Sequence, residues 1–178
     1  MKTFDGGLDD TKPVYMGIDQ SYSGFAITLL NDTGYRTTVF KSSLTGVKRL
    51  GDIQQYIMNT LFEVNNKIED VAMEGYAFGS QMANMLGELG GMVKLTLLDF
   101  EIYPLIVPPT NLKKYATGKG NTPKNQIILY VYKNFGVELP DDNAADSYIL
   151  AHLVGKKYTH AYQKEVYDKL QDPKFRER

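Results

Sequence analysis

Val14-Tyr15-Met16-Gly17-Ile18-Asp19 is a short apolar run that ends on an acid. A run of that length and composition reads as a buried β-strand. Working outward, Ser23-Gly24 turns the chain into Phe25-Ala26-Ile27-Thr28-Leu29-Leu30, a second strand. Asn31-Asp32-Thr33-Gly34 is a hairpin signal. Tyr35 to Lys41 is rich in β-branched and aromatic residues and reads as a third strand, so an antiparallel meander is expected. The period then changes. Val47, Leu50, Ile53, Ile57, Leu61 and Val64 recur every three or four residues, the spacing of an amphipathic helix. Asp70 to Glu74 is a fourth strand, again closed by an acid. Ser80 to Asp99 reads as a helix, with Gly87, Gly90 and Gly91 expected to allow close backbone approach to a sheet. Ile102 to Val107 is a fifth strand, stopped by Pro108-Pro109. Helices follow over Thr110 to Thr117, with Thr110 as cap, and from Pro123 to Phe135, with Thr122 as cap and Gly136 as stop. A last one runs from Asn143 to about Lys156. This order predicts an α/β fold: a mixed five-stranded sheet, three strands in an antiparallel meander plus two parallel strands, with helices on both faces. Residues 1–13 read as a flexible N-terminal arm, 14–157 as the folded domain, and 158–178 as a charged C-terminal helix or tail.

Composition narrows the chemistry. The 178 residues carry 20 basic and 21 acidic side chains, a net charge of −1, so no global field favours nucleic acid or membrane. There is no cysteine, which excludes disulfides, thiolate metal sites and thiol nucleophiles. His152 and His160 are the only histidines. His152 stands six residues after Asp146, about 240° round a helix, and reads as a surface or packing residue, as does His160 in the tail. No apolar stretch reaches the roughly 18 residues of a membrane span, and no signal pattern opens the chain. A cytoplasmic protein working through carboxylates, hydroxyls, amides and lysines is expected.

Three acids stand where a site would use them. Asp19 ends the first strand, Glu74 ends the fourth, and Asp146 lies early in the last helix, with Asp142 and Asn143 one turn before it. Each sits in an apolar frame: Gly17-Ile18-Asp19, Ala72-Met73-Glu74 and Ala144-Ala145-Asp146. Acids at neighbouring strand ends can converge as ligands for two oxygen-bound metals about 3.5–4 Å apart. The alternative is ordinary: a turn Asp, or acids near a helix start favoured by capping and the macrodipole.

Between Ile102 and Val137 lie five lysines, Lys113, Lys114, Lys119, Lys124 and Lys133, and no acid. A local patch of this kind suits a phosphate backbone, although a solvated lysine face reads the same way. Gly118 and Gly120 bracket Lys119, so that loop can press amides against phosphate. Gly-Lys-Gly lacks the spacing of a nucleotide-binding loop.

Taken together, Gly17-Ile18-Asp19-Gln20-Ser21, Glu74 with its aromatic-bearing loop, and Asn143-Ala144-Ala145-Asp146-Ser147 resemble the RuvC family of Holliday junction resolvases, which have a ribonuclease H-like fold. Leu112-Lys113, Thr117-Gly118-Lys119-Gly120 and Lys124-Asn125-Gln126 resemble further family segments without a gap, and the resemblance spans roughly 14–156. It implies Asp19, Glu74 and Asp146 as catalytic metal ligands and Lys113 and Lys124 as functional lysines. It implies that the loop after Glu74, through Tyr76 or Phe78, probes the junction. Gln81, Asn84, Lys114, Gly118 and Lys119 join Lys124 as DNA contacts. Tyr76 and Phe78 read equally as packing aromatics, and Gln81 and Asn84 as surface polars.

Asn143 departs from the family, many members of which carry a fourth acid there. Its amide carbonyl can still meet a metal, Asp142 can supply the missing charge, or the amide disables the site. The polar arm departs from bacterial members and points to a viral or phage branch. The resemblance implies two Mg2+ ions per site, with Mn2+ as substitute, branched DNA as partner, no membrane, and a homodimer. The helix Ser80 to Asp99, with Met82, Met85 and Met92, is the candidate dimer face, although that stripe reads equally as core. The expected activity is symmetric paired nicking of four-way junctions leaving 5′-phosphates. The rivals are a nuclease of the same fold acting on flaps, a junction-binding protein without catalysis, and an actin-like ATP-binding protein, for whose two lobes the chain is short.

Overall fold

Six strands form one sheet in the order β1-β4-β3-β2-β5-β6. The structure, a computed structural model, describes residues 1–64, 67–75 and 83–176. β2 (Val14–Asp19), β3 (Phe25–Leu30) and β4 (Tyr35–Phe40) make the expected antiparallel meander. β5 (Ile68–Glu74) joins β2 in parallel, and β6 (Leu105–Val107) joins β5 in parallel. The hairpin between β3 and β4 is held by Asn31, whose Oδ1 accepts from Thr33 N at 3.0 Å and Gly34 N at 3.3 Å.

The expected strand count was five. The sixth, β1 (Lys2–Asp5), comes from the residues expected to form a loose arm, and it pairs antiparallel with β4. Its alternation is too polar to read as a strand, because it is an exposed edge with one neighbour to satisfy. β6 is also shorter than the predicted Ile102–Val107. Pro104 has no N–H to give a ladder, and Glu101 takes a φ of 59° in the turn before it.

Strand parity divides the core into two layers. Met16, Ile18, Val71 and Met73 face α1 (Gly46–Val64) and α2 (Ala83–Leu98), packing with Ile53, Ile57, Leu61, Leu89, Val93 and Leu97. Ala72, Leu105 and Val107 face the other layer, built from α3 (Pro109–Thr117), α4 (Lys124–Phe135), α5 (Asp142–Val154) and α6 (Ala161–Lys169). α5 lies between sheet and helices, which is why every residue from Ala144 to Val154 is buried. Gly87 and Gly91 do not mediate close approach: a Cβ at either would meet open space. They lie on the side of α2 away from the sheet. Met92 packs into the core, whereas Met85, Leu95 and Leu98 are exposed.

The C-terminal segment folds as a helix. α6 docks through Val166 and Gln163, both buried. The Gln163 amide donates to Tyr115 O at 3.2 Å and Tyr130 Oη at 2.7 Å, and its Oε1 accepts from Thr159 N at 2.7 Å and His160 N at 3.0 Å. Beyond it Arg176 pairs with Asp70 and bridges to Leu105, covering the short edge strand.

Candidate active site

The parallel register of β2 and β5 aligns Gly17 with Ala72 and Ile18 with Met73. One step further, Asp19 and Glu74 are side by side at the ends of their strands. Parity turns both toward the α5 layer, because Met16, Ile18, Val71 and Met73 face the other way. Asp19 is 4% exposed and Glu74 half-buried.

α5 brings the third acid. Its N-cap is Asp141, whose side chain accepts from Ala144 N at 3.0 Å, and Asp142 adds a carboxylate to its first turn. The helix presses onto β2 at Gly17, where a Cβ would lie 2.0 Å from Ser147 O and 2.5 Å from Ala151 N. It is also bonded to the sheet by buried hydroxyls: Ser147 Oγ lies 2.9 Å from Thr28 Oγ1, which lies 2.8 Å from Thr37 Oγ1. Asp146, beside Ser147, is 5% exposed. Asn143 reaches the turn after Asp19, since a Cβ at Gly24 would stand 2.7 Å from its Nδ2. Thus the predicted residues Asp19, Glu74, Asn143 and Asp146 lie at one end of the sheet.

Among the described residues, no group of three His, Cys, Asp or Glu side chains is placed to hold a metal ion together. The donor chemistry at this edge is nonetheless that of a hard cation: two nearly buried carboxylates, a half-buried one and an amide, with no thiolate or imidazole among them. The residue types fit Mg2+ or Mn2+.

α3 follows β6, whose strand runs parallel to β5, so it begins at the same edge. It carries Lys113, half-buried, and Lys114, exposed. Pro109 rather than Thr110 opens it, since proline suits a first turn that needs no N–H. Gly118 closes it with a φ of 79°, its N–H bonding Lys114 O. The loop beyond is tied by hydroxyls: Thr117 Oγ1 and Thr122 Oγ1 are 2.6 Å apart, and Thr122 donates to Lys119 O at 2.8 Å. Thr122 is therefore engaged in the loop, and α4 starts one residue later than expected, with Pro123 as N-cap and Lys124 as its first residue. Lys119 is exposed on that loop. Asn84 is exposed in the first turn of α2. Tyr76, Phe78, Gln81 and Met82 lie outside the described residues.

Sequence reasoning assigned no role to Gln20. Its side chain is 5% exposed and donates from Nε2 to Glu74 O at 2.7 Å, linking the two acid-bearing strand ends. An amide directly after a strand-end acid was the only available signal. Of the surface and packing roles expected for His152, the structure shows packing, its ring tilted against Phe135 at 4.3 Å and Tyr148 at 4.6 Å between centroids. Burial pushes its imidazole down to about 3, with Lys157 adding to the shift.

No family model matches the chain. Crossover junction endodeoxyribonuclease RuvC of Campylobacter concisus is 26% identical over 134 residues, covering 68% of this chain and 82% of the relative. That of Carboxydothermus hydrogenoformans is 31% identical over 109 residues, covering 59% and 68%. Among solved structures, Thermus thermophilus RuvC superposes with a TM-score of 0.67 at 18% identity, covering 92% of this chain and 98% of its own. T. thermophilus RuvC in complex with Holliday junction substrate gives 0.65 at 19% identity, covering 89% and 96%. Fowlpox virus resolvase with Holliday junction DNA gives 0.50 at 15% identity, covering 80% and 99%. At these identities the structures speak to the fold, which is ribonuclease H-like. No helix among the described residues is long and apolar enough to cross a membrane.

Proposed function

The chain belongs to the RuvC family of crossover junction endodeoxyribonucleases, and on that premise we propose that it resolves four-way DNA junctions by symmetric paired nicks that leave 5′-phosphates. The observation that carries this is the juxtaposition of Asp19 and Glu74 at adjacent strand ends, with α5 pressed onto Gly17 beside Asp146. Three acids on rigid elements at one edge suit a hydrolase that must position charge.

Asp19, Glu74 and Asp146, with Asn143 or Asp142, would hold the divalent metal, two Mg2+ per site with Mn2+ as substitute. The chemistry such ions supply when bound is activation of water and neutralisation of phosphate charge. In the hydrolysis a water oxygen bonds to phosphorus in line, the bond from phosphorus to the 3′-oxygen breaks, and that oxygen leaves as a hydroxyl. Lys113 and Lys124 offset the charge that develops on the phosphoryl oxygens. Lys114 and Lys119 seat the backbone of the branched DNA through their side chains, and Gly118, whose own N–H is engaged by Lys114 O, turns the loop that presents Lys119. Asn84 contributes a neutral contact, and Tyr76, Phe78 and Gln81 meet the crossover. A homodimer places two such sites for paired cuts.

The test is cleavage of a labelled four-way junction with a mobile core, in Mg2+ and separately in Mn2+, beside linear duplex, three-way and flap substrates. Paired nicks confined to the four-way junction are expected, with Asp19→Asn inactive yet still binding. Preference for flaps would move the substrate class. A second reading, a junction-binding protein without catalysis, is favoured by the amide at position 143. Tight metal-free binding with no nicks in either metal would establish it.

A further inference from the structure

The end of the sheet that carries the acids has a second flank. Between Asp32 and Asp52 the chain holds four cations, Arg36, Lys41, Lys48 and Arg49, and no acid. Arg36 lies at the far end of β4 and is compensated, 2.8 Å from Glu63 and 3.7 Å from Asp10. The other three lie at the acid-bearing end. Phe40, the last residue of β4, pairs with Phe25, and Ala26 pairs with Asp19. Lys41 therefore leaves the sheet where Asp19 does.

Its placement is close to the site itself. A Cβ at Gly24 would stand 3.6 Å from Lys41 Cε and 2.7 Å from Asn143 Nδ2, so the lysine stem and the amide converge over that glycine. Lys48 is exposed in the first turn of α1, which contains no acid. A cation there opposes the helix dipole, and an anion relieves it. Among the described residues neither Lys41 nor Lys48 makes an ion pair, whereas Lys12, Lys157, Lys164 and Lys174, away from this end of the sheet, each do.

Arg49 makes the flank rigid. Its Nη1 donates to Tyr22 O at 3.3 Å, its Nη2 to Ser42 O at 3.0 Å, and its guanidinium lies 4.7 Å over the Tyr22 ring. It thereby fastens the turn after Asp19 to the segment that carries Lys41.

We propose that the β4–α1 segment, through Lys41 and Lys48, is a second phosphate-backbone contact surface, gripping branched DNA on the side of the acids opposite Lys113 and Lys119. The proposal rests on the junction-resolving reading above. The strand order supplies the geometry: β4 and β6 flank β3, β2 and β5. Four strand spacings of about 4.8 Å separate the two flanks by roughly 19 Å. At about 3.4 Å of axis per nucleotide, that is a span of roughly six nucleotides centred on the acids. A single cationic flank would leave one side of the reacting phosphate facing carboxylates alone. Two flanks hold the backbone across them.

The experiment measures affinity of the full chain for a four-way junction by fluorescence anisotropy, without divalent metal, across a series of potassium chloride concentrations. The double variant Lys41→Gln, Lys48→Gln is compared with Lys12→Gln, Lys67→Gln, which removes the same charge at the opposite end of the sheet. The expected result is a salt slope smaller by about two, roughly one per lost phosphate contact, and at least about tenfold weaker binding, in the first variant alone. Its thermal midpoint should match the parent, because both lysines are exposed. An unchanged slope with intact junction binding by the parent overturns this surface and leaves the resolvase reading standing. Equal losses in both double variants also overturn it, since only overall charge would then matter. A parent chain that binds no junction removes the resolvase reading and this one with it.

Discussion

The backbone of Gly17 lies so close beneath Ser147 that a Cβ there would stand 2.0 Å from the Ser147 carbonyl oxygen. The nearest atoms are helix backbone, which cannot rotate away. Gly17→Ala must lift α5 from β2, and with it Asp146. Urea denaturation should show a loss of about 3 kcal/mol, the upper end of overpacking costs. Junction cleavage by the folded fraction should fall as well. A loss under about 1 kcal/mol would mean that α5 shifts freely and does not position its acid.

Gln20→Leu removes the bond from its side-chain amide to Glu74 O. Gln20 is a positioning residue, acting on the strand end rather than on DNA. The turnover number should fall about 10- to 100-fold, the range for outer-shell partners of metal ligands. Junction affinity in the absence of metal should stay within about twofold. A matching loss of affinity would instead place Gln20 in the DNA contact.

Asn143→Asp adds a carboxylate to the first turn of α5, near Asp142. If position 143 faces the metal, isothermal calorimetry should show tighter Mg2+ binding by about tenfold or more. Without metal the added carboxylate faces Asp142, Asp146 and Asp19, so the thermal midpoint should fall and then recover on adding Mg2+. Unchanged Mg2+ affinity would remove Asn143 from the ligand set.

His152 makes stability depend on pH. Its folded value, pushed down to about 3 by burial, lies below the ordinary value of 6.5. The unfolded chain therefore takes up the proton first. Its contribution is unchanged above about pH 6.5 and is lost as pH falls from there toward 3, at up to about 1.4 kcal/mol per pH unit. Neither ring nitrogen has a hydrogen-bond partner among the described residues. His152→Phe should keep the ring contacts with Phe135 and Tyr148 and flatten the slope between pH 6 and 4 in thermal melts. A slope identical to the parent would assign the acid sensitivity to carboxylates.

Gln163→Leu tests the docking of α6. It leaves the buried Tyr115 carbonyl without its side-chain donor and Thr159 N and His160 N without their side-chain acceptor. About 2–4 kcal/mol should be lost in denaturant titration. Limited proteolysis should then cut first around α6, and a cut elsewhere would show that α6 is held by Val166 and Leu170 alone.

The strands that read clearly were those buried on both faces. In β2 and β3, apolar runs bounded by turn residues leave few alternatives, so the meander and the acid at its first strand end were legible. Helix spacing likewise placed Asp146 and Asn143 together on α5. What escaped was decided by neighbours. Lys2–Asp5 offers a single apolar side chain, Phe4, too little to mark a strand, and only the free edge of β4 makes it one. Thr122 has the residue type of a helix cap, but Thr117 and the Lys119 carbonyl claim its hydroxyl.

The sequence by itself determined the residue types of the site, the strand ends that bear two of the acids, and the helix that bears the third. Those follow from hydrophobic periodicity, which acts along the chain. Tertiary structure alone decided that Gly17 seats α5 on the sheet, that Gln20 ties Glu74 to the turn after Asp19, and that Lys41 joins Asn143 over Gly24. Each is a contact between segments distant in the chain. Close approach and hydrogen-bond pairing depend on distances that no local pattern encodes.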